Sequence, residues 1–392
     1  MSAAAGERAA GGALRIGFMA GESSGDQLGA ALIDALRARV PRLECFGVAG
    51  PRMIAAGCEA WASAEELAVM GLTEVLRHLP RLLRLRRTLV ARFVAARPQV
   101  FVGIDAPEFN LGLAARLKAR GLTTVQYVSP QVWAWRQGRV RTIGRACDLV
   151  LCLLPFEPKF YSTHGVHAVF VGHPLADQIA LDPDRGAARR ALRIAPEATL
   201  IALLPGSRVA EASRLGADFA GAAAWIAKER PAVQFIAPMA TRAVRDVFEP
   251  QAAAVAARIR LTDGGAREAL AACNGALVAS GTATLETLLS KRPMVVAYRL
   301  AAATVFVARR LALVKSPYMA LPNLLAGRAL VPELFQDEVT PAALGSALLR
   351  ELDDPARVAA LTAEFRRMHV QLRCGAAERA ANAILECAGV HA

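Results

Sequence analysis

Aromatic residues are scarce, at 6% of 392 positions, and acids are outnumbered, with 34 against 47 lysines and arginines. A chain this basic invites a polyanionic partner. With few aromatics and no RNP-like, zinc-finger or stacked-aromatic signature, nucleic acid is the weakest choice. The formal charge of +13 then suggests phosphorylated substrates or an anionic phospholipid surface. The seven cysteines include no C-x-x-C pair, so a disulfide framework is excluded and reduced thiols of a cytoplasmic protein fit. His164 and His167 lie close together, but no cysteine or acidic cluster completes a metal set, and they read as solvent-facing loop residues. No apolar run reaches the roughly eighteen residues of a spanning helix. The closest, "AAATVFVARRLALV", is broken by Arg309 and Arg310. The start, "MSAAAGERAAGGA", carries an acid and lacks the basic-then-apolar order of a signal peptide, so residues 1–13 read as a disordered leader.

What is present is enough apolar residue, 54%, to bury a core, over a length that suits two domains. Short apolar runs alternate with helical stretches: "LRIGFMA", "ECFGVAG", "QVFVGID", "TTVQYVS", "DLVLCLL" and "AVFVGH". Strands alternating with helices imply parallel β-α-β units covered on both faces. A polar, proline-bearing connection follows, and a second series begins: "TLIALLPGSR", "VQFIAPMA", "RIRLTDG", "GALVASGT", "PMVVAYR". From Thr340 onward the pattern is helical. The expected fold class is α/β, with two Rossmann-like doubly wound domains, at 14–175 and 186–365. Helices at 366–390 are expected to rejoin the first domain. Ligands of such sheets bind beyond the carboxyl ends of the strands, so two facing domains are expected to share one crevice.

The loops after strands therefore carry the candidate chemistry. "GESSGD" (Gly21–Asp26) joins a strand to a helix; Glu22, Ser23 and Ser24 can meet sugar hydroxyls, or Ser24 and Asp26 can simply cap the helix. In "VFVGIDAPEFN" an apolar strand ends on Asp105, with Pro107, Glu108 and Asn110 beyond it, Asn110 being counted with the acceptor or acyl contacts. Asp105 is the best-placed carboxylate for a general base and Glu22 the second, although an Asp–Pro turn can be purely structural. "LLPGSRVAE" offers close backbone approach at Gly206 and Ser207 and a phosphate-matching guanidinium at Arg208. "ASGTATLE" places Ser280, Gly281 and Thr282 before a helix and Glu286 in its first turn, where amides suit a diphosphate and the acid suits ribose hydroxyls. Either loop alone is an ordinary turn; the two together favour a nucleotide diphosphate. Tyr298, which closes the "PMVVAYR" strand, and Asn323 of "LPNLLAGR" are counted with this donor set, with a structural turn the other reading of Asn323.

Two stretches combine arginine with apolar residues. "YVSPQVWAWRQGRVRTIGR" sets Trp133 and Trp135 beside Arg136, Arg139 and Arg141, suited to an acyl or sugar pocket with phosphate contacts, or to local aromatic packing. "GLTEVLRHLPRLLRLRRTLV" repeats Leu72, Val75, Leu76, Leu79, Leu82 and Leu83 at helical spacing, with Arg77, Arg81 and Arg84 on the other side. Such a helix, kinked at Pro80, can lie in an anionic lipid interface or pack on a core. The D-x-D at Asp182-Pro-Asp184 lies in the connection, away from any strand end, and reads as turn chemistry; no metal and no cofactor is expected.

In this order, "AGESSGD", "GIDAPEFN", "YVSPQVWAWR", "FVGHPLAD", "LLPGSR", "SGTATLE" and "LPNLLAGR" closely resemble the lipid-A-disaccharide synthase family, from about Ile16 to the C-terminal helices. The resemblance implies a GT-B fold and an inverting glycosyl transfer. UDP-2,3-diacylglucosamine is the implied donor and 2,3-diacylglucosamine 1-phosphate the acceptor, giving a β-1,6 disaccharide 1-phosphate and UDP for lipopolysaccharide synthesis. It also implies a peripheral enzyme on the cytoplasmic face of a Gram-negative inner membrane, with Asp105 as general base. A homodimer is compatible with the sequence. The alternatives are another GT-B enzyme on UDP-N-acetylhexosamine (an epimerase or a transferase to a lipid-linked acceptor) and a non-catalytic glycolipid-binding protein of the membrane surface.

Overall fold

The computed structural model describes residues 13–63, 75–134, 137–300 and 316–390, without the side chains of 75–80. The chain forms two compact units, Met1–Asp177 with Leu372–Ala392, and Gln178–Gln371.

The first unit is a seven-stranded sheet. Its strands are β1 (Leu14–Ala20), β2 (Leu43–Ala49), β3 (Cys58–Ser63), β4 (Val100–Ile104), β5 (Thr123–Tyr127), β6 (Leu149–Cys152) and β7 (Ala168–Phe170). They lie in the order β3-β2-β1-β4-β5-β6-β7, all pairs parallel. Alternate residues of each strand serve opposite faces. Ile16, Phe18, Val102 and Ile104 pack with Leu32, Ile33, Ala380 and Ile384 from helices Ser23–Arg37 and Ala376–Cys387. Met19 and Phe101 pack on the other face with Phe93, Leu113 and Leu117 from helices Val75–Ala96 and Pro107–Lys118. Because both faces are covered, the central strand "VFVGI" is buried at every position, which is why it reads as an unbroken apolar run. The C-terminal helix is held at its start by Asp177, whose carboxylate accepts the Gly375 and Ala376 N–H groups at 3.0 and 2.7 Å.

The second unit is a six-stranded sheet of β8 (Leu200–Leu204), β9 (Gln234–Met239), β10 (Ile259–Asp263), β11 (Gly275–Ala279), β12 (Met294–Tyr298) and β13 (Glu333–Phe335). The order is β10-β9-β8-β11-β12-β13, again all parallel. Leu203, Leu277 and Val295 of the sheet pack with Phe219, Phe248, Leu344 and Leu348 of its helices. Helix Pro355–Leu372 belongs to this unit except for its last residue.

In the connection, Asp184 caps helix Arg185–Ala191 through the Ala187 N–H at 2.8 Å, and Asp182 pairs with Arg366 at 3.2 Å. Both carboxylates of the D-x-D thus have local structural work. The edge strands β3 and β13 were not expected. "CEAWAS" is half-exposed and carries Glu59, and "ELF" is only partly buried, so neither shows the continuous apolar run of a covered strand.

The basic stretch forms one helix, Val75–Ala96, running through Pro80. Leu72 lies outside the described residues, as do the side chains of Leu76 and Leu79. The expected grouping of Leu82 with Leu83 does not hold. Leu89 and Phe93 are buried and Leu82 and Leu85 pack against the same core, whereas Leu83 is 38% exposed, beside exposed Arg81 and Arg84. Adjacent residues sit about 100° apart around a helix, and here the step from Leu82 to Leu83 leaves the packed face. Among the described residues, no helix is long and apolar enough to cross a membrane.

Candidate active site

In an open parallel sheet, the place where connections leave to opposite sides leaves a crevice at the carboxyl ends of two adjacent strands. In the first sheet β1 leads outward to β2 on one side, and the chain returns to β4 on the other. The loops flanking this switch point are Gly21–Asp26 after β1 and Asp105–Ala106 after β4. In the second sheet the corresponding pair is β8 and β11, followed by Gly206–Arg208 and Ser280–Thr282. Each pair of loops singled out by composition is therefore brought together by topology.

At the first switch point the Ser24 hydroxyl donates to Asp105 Oδ2 at 3.0 Å. Asp105 and its successor Ala106 both take the left-handed backbone, with φ of 53° and 36°. Such conformations cost non-glycine residues on the order of 1–3 kcal/mol each and persist only when their surroundings enforce them. Here the Asp105 N–H donates to the Tyr127 carbonyl at 2.9 Å. The Asp105 carbonyl accepts from Asn110 Nδ2 at 2.9 Å and from Gln126 Nε2 at 3.0 Å. Asn110 is fully buried and also donates to the Ile104 carbonyl at 3.1 Å. It braces the Asp105 loop from behind. Glu22 and Ser23 are exposed at the start of helix Ser23–Arg37, which has no side-chain cap. Asp26, offered as a cap, instead accepts the Arg52 and Met53 N–H groups at 2.9 Å and caps the next helix, Pro51–Ala55.

Trp133 donates its Nε1–H to Glu157 at 3.0 Å and meets the Phe156 ring edge-on at 4.9 Å. Burial lifts the Glu157 carboxyl to about 7, opposed by hydrogen bonds from Leu154, Ser129 and Trp133. Glu157 was not among the expected residues; within "LLPFEPKF" nothing marks it as an acid beneath a tryptophan. Trp135 and Arg136 lie outside the described residues. Arg139 grips Glu108 with both terminal nitrogens at 2.6 and 2.9 Å.

At the second switch point Gly206 has φ 133°, and a Cβ there would stand 2.4 Å from the Glu211 Cβ. Glu211 folds back over the loop. Its carboxylate accepts the Ser207 and Arg208 N–H groups at 3.0 and 3.3 Å and pairs with the Arg208 guanidinium at 3.3 Å. A carboxylate thus already sits where these donors converge; the Arg208 side chain is otherwise 80% exposed. Opposite, Gly281 has φ 148° and opens helix Thr282–Leu289 without a side-chain cap. The Ser280 N–H is committed to the Ala297 carbonyl at 2.9 Å, which leaves Gly281 and Thr282 as the candidate amide donors of this loop. Glu286 lies 3.9 Å from Arg267, and burial raises its carboxyl above the usual range while Arg267 opposes that. Tyr298 stacks on Phe335 at 5.7 Å, its hydroxyl pushed up first by burial and then by the Glu211 charge.

Asn323 is buried and uses its whole amide on the chain. Nδ2 donates to the Val331 carbonyl and Glu333 at 2.9 and 2.7 Å, and Oδ1 accepts from Leu330 and Val331 at 2.7 and 2.8 Å. Of its two readings, the structural one describes this arrangement. Among the described residues there is no cluster of three metal-ligating side chains.

The family model for lipid-A-disaccharide synthetase matches residues 16–384. A lipid-A-disaccharide synthase of Sodalis glossinidius (strain morsitans) is 55% identical over 374 residues, 95% of this chain and 97% of its own. The glycosyltransferase of kitacinnamycin shares the fold with a TM-score of 0.65 at 16% identity, over 96% of this chain and all of its own. So does the UDP-GlcNAc 2-epimerase from Neisseria meningitidis bound to UDP-GlcNAc, at 0.60 and 10%, over 95% of this chain and 98% of its own. These neighbours identify the two doubly wound units as a GT-B fold, a fold that transferases and epimerases share. With its signature loops placed in pairs at the switch points of two parallel sheets and the family match running nearly end to end, the chain belongs to the lipid-A-disaccharide synthetase family.

Proposed function

We propose that this chain transfers a 2,3-diacylglucosaminyl group from its UDP donor to the 6-hydroxyl of 2,3-diacylglucosamine 1-phosphate, with inversion. The observation that carries the reading is the division of labour between the switch points. One presents the Asp105 carboxylate, and the other gathers amides and a guanidinium. Asp105 removes the proton from the acceptor hydroxyl as that oxygen bonds to the anomeric carbon, and Ser24 holds the carboxylate's other edge. The bond from the anomeric carbon to the diphosphate breaks on the opposite face, and its electron pair leaves on UDP. Arg208 and the amides of Ser207, Gly281 and Thr282 stabilise the departing charge. Donor binding displaces Glu211 from the amides of Ser207 and Arg208, and Glu286 accepts from the ribose.

The test is incubation of purified protein with both acylated substrates, following disaccharide and UDP together. Equal amounts of the two products are expected, with no turnover of UDP-GlcNAc. Turnover of UDP-GlcNAc alone would move the chain to the epimerase side of the fold.

The exposed Leu83 with Arg81 and Arg84 supports seating on an anionic membrane surface at the cytoplasmic face. Replacing Leu83 by Ser is expected to lower co-sedimentation with phosphatidylglycerol vesicles and leave the melting midpoint unchanged. Full retention on the vesicles would remove Leu83 from the contact.

A further inference from the structure

We infer that Gln126 is a positioning residue that holds the Asp105 carboxylate in its reactive pose; the inference rests on the reading of Asp105 as the base. Gln126 lies in β5, 1% exposed, directly across from Gly103 of β4. An amide buried inside a covered strand is costly unless its hydrogen bonds are made. Gln126 makes them at the carboxyl ends of the two strands, not within the ladder. Its Nε2 lies 3.0 Å from the Asp105 carbonyl, 3.3 Å from that of Tyr127 and 3.4 Å from that of Val128.

Two of those three carbonyls belong to residues with left-handed backbone, Asp105 at φ 53° and Val128 at φ 76°. For a β-branched valine that conformation is a genuine outlier. One side chain therefore spans two strained strand ends that face the same switch point. The space for it comes from Gly103. A Cβ there would approach Gln126 Oε1 to 3.1 Å and the Asn110 Cβ to 3.0 Å, so the missing side chain admits both amides that brace Asp105. Without the Gln126 donor, the Asp105 carbonyl keeps only Asn110. The left-handed conformer then loses half of its side-chain support, and the carboxylate is no longer fixed against the acceptor hydroxyl.

The experiment compares Gln126→Met, a side chain of similar length with no donor, in the native chain and in Asp105→Asn. In the native chain kcat is expected to fall about 10- to 100-fold, the scale of a small misplacement of a catalytic group, with the donor KM and UDP affinity unchanged. In the Asp105→Asn background the same change is expected to cost nothing further, because the carboxylate it positions is gone. An equal loss in both backgrounds, or full turnover of Gln126→Met, overturns the inference and leaves the base assignment standing. Near-normal turnover of Asp105→Asn alone removes the base assignment and this inference with it. Should Gln126→Met fail to fold, Gln126→Asn, an amide one methylene too short to span both carbonyls, replaces it in both backgrounds under the same criteria.

Discussion

At the first switch point the left-handed backbone falls on residues with side chains, Asp105, Ala106 and nearby Val128. At the second the positive φ values fall on Gly206 and Gly281. The contrast follows from what each loop presents. On the proposed function the second loop pair offers backbone N–H groups to the donor's diphosphate, so side chains at the turning positions are not needed and glycine makes the turn without strain. The first, on the same proposal, projects a carboxylate from the turning residue itself, which rules out glycine at position 105. The conformation is then enforced by Asn110 and Gln126 acting on the Asp105 carbonyl. Strain at the first unit and glycine at the second are two answers to the same demand for a sharp strand exit.

Replacing Asp105 by Asn sharpens the contrast most. Shape and the Ser24 contact are nearly kept while basicity is removed, and turnover is expected to fall about 10²- to 10⁴-fold. UDP affinity, measured by calorimetry, is expected to stay constant, since its donors belong to the other switch point. A parallel loss of UDP affinity would break the division of labour.

Arg208→Ala is the reciprocal change. A hydrogen bond to a charged group contributes about 1.5–3 kcal/mol, so UDP affinity is expected to drop roughly 10- to 100-fold. Unchanged affinity would leave the backbone amides as sufficient on their own. Gly206→Ala tests the glycine half directly. The methyl group would meet the Glu211 Cβ at 2.4 Å on a backbone at φ 133°, and a loss of about 1–3 kcal/mol of stability is expected in denaturant titration.

Much of the fold was legible because covered parallel strands leave long apolar runs. "LRIGFMA" coincides with β1, and the runs "QVFVGID" and "GALVASGT" contain β4 and β11. The edge strands β3 and β13 escaped, since a half-exposed strand leaves no such run. At the site, Asp105 was visible because a carboxylate ends an apolar run, and Gly206 because it lies in a small-residue loop just after one. Their partners were hidden. Gln126 was inside "TTVQYVS", read only as strand, and its meaning depends on lying across from Gly103 in the folded sheet. From sequence, Ser24 offers a sugar contact or a cap of its own helix, and Asp26 such a cap. Their actual bonds, to Asp105 and to Arg52 and Met53, join segments brought side by side by strand order. Composition locates the loops, and topology decides what each side chain in them touches.

The smallest expected effect comes from importing the second unit's solution into the first. Ala106 has φ 36° and ψ 53° at the start of helix Pro107–Lys118, and unlike Asp105 it has no role for its side chain. Glycine at 106 adopts that conformation freely, which relieves strain. It also gives the unfolded chain more freedom to lose, at about 0.4–1 kcal/mol. If strain at this position exceeds that entropy, as expected for the left-handed region, Ala106→Gly raises the melting midpoint by about 2–4 °C per kcal/mol gained. Turnover is expected to change less than about threefold, because the Asp105 carbonyl keeps both of its amide donors. A lowered midpoint would mean that the surroundings of Ala106 already absorb the strain, and the contrast between the two switch points would then rest on Asp105 and Val128 alone.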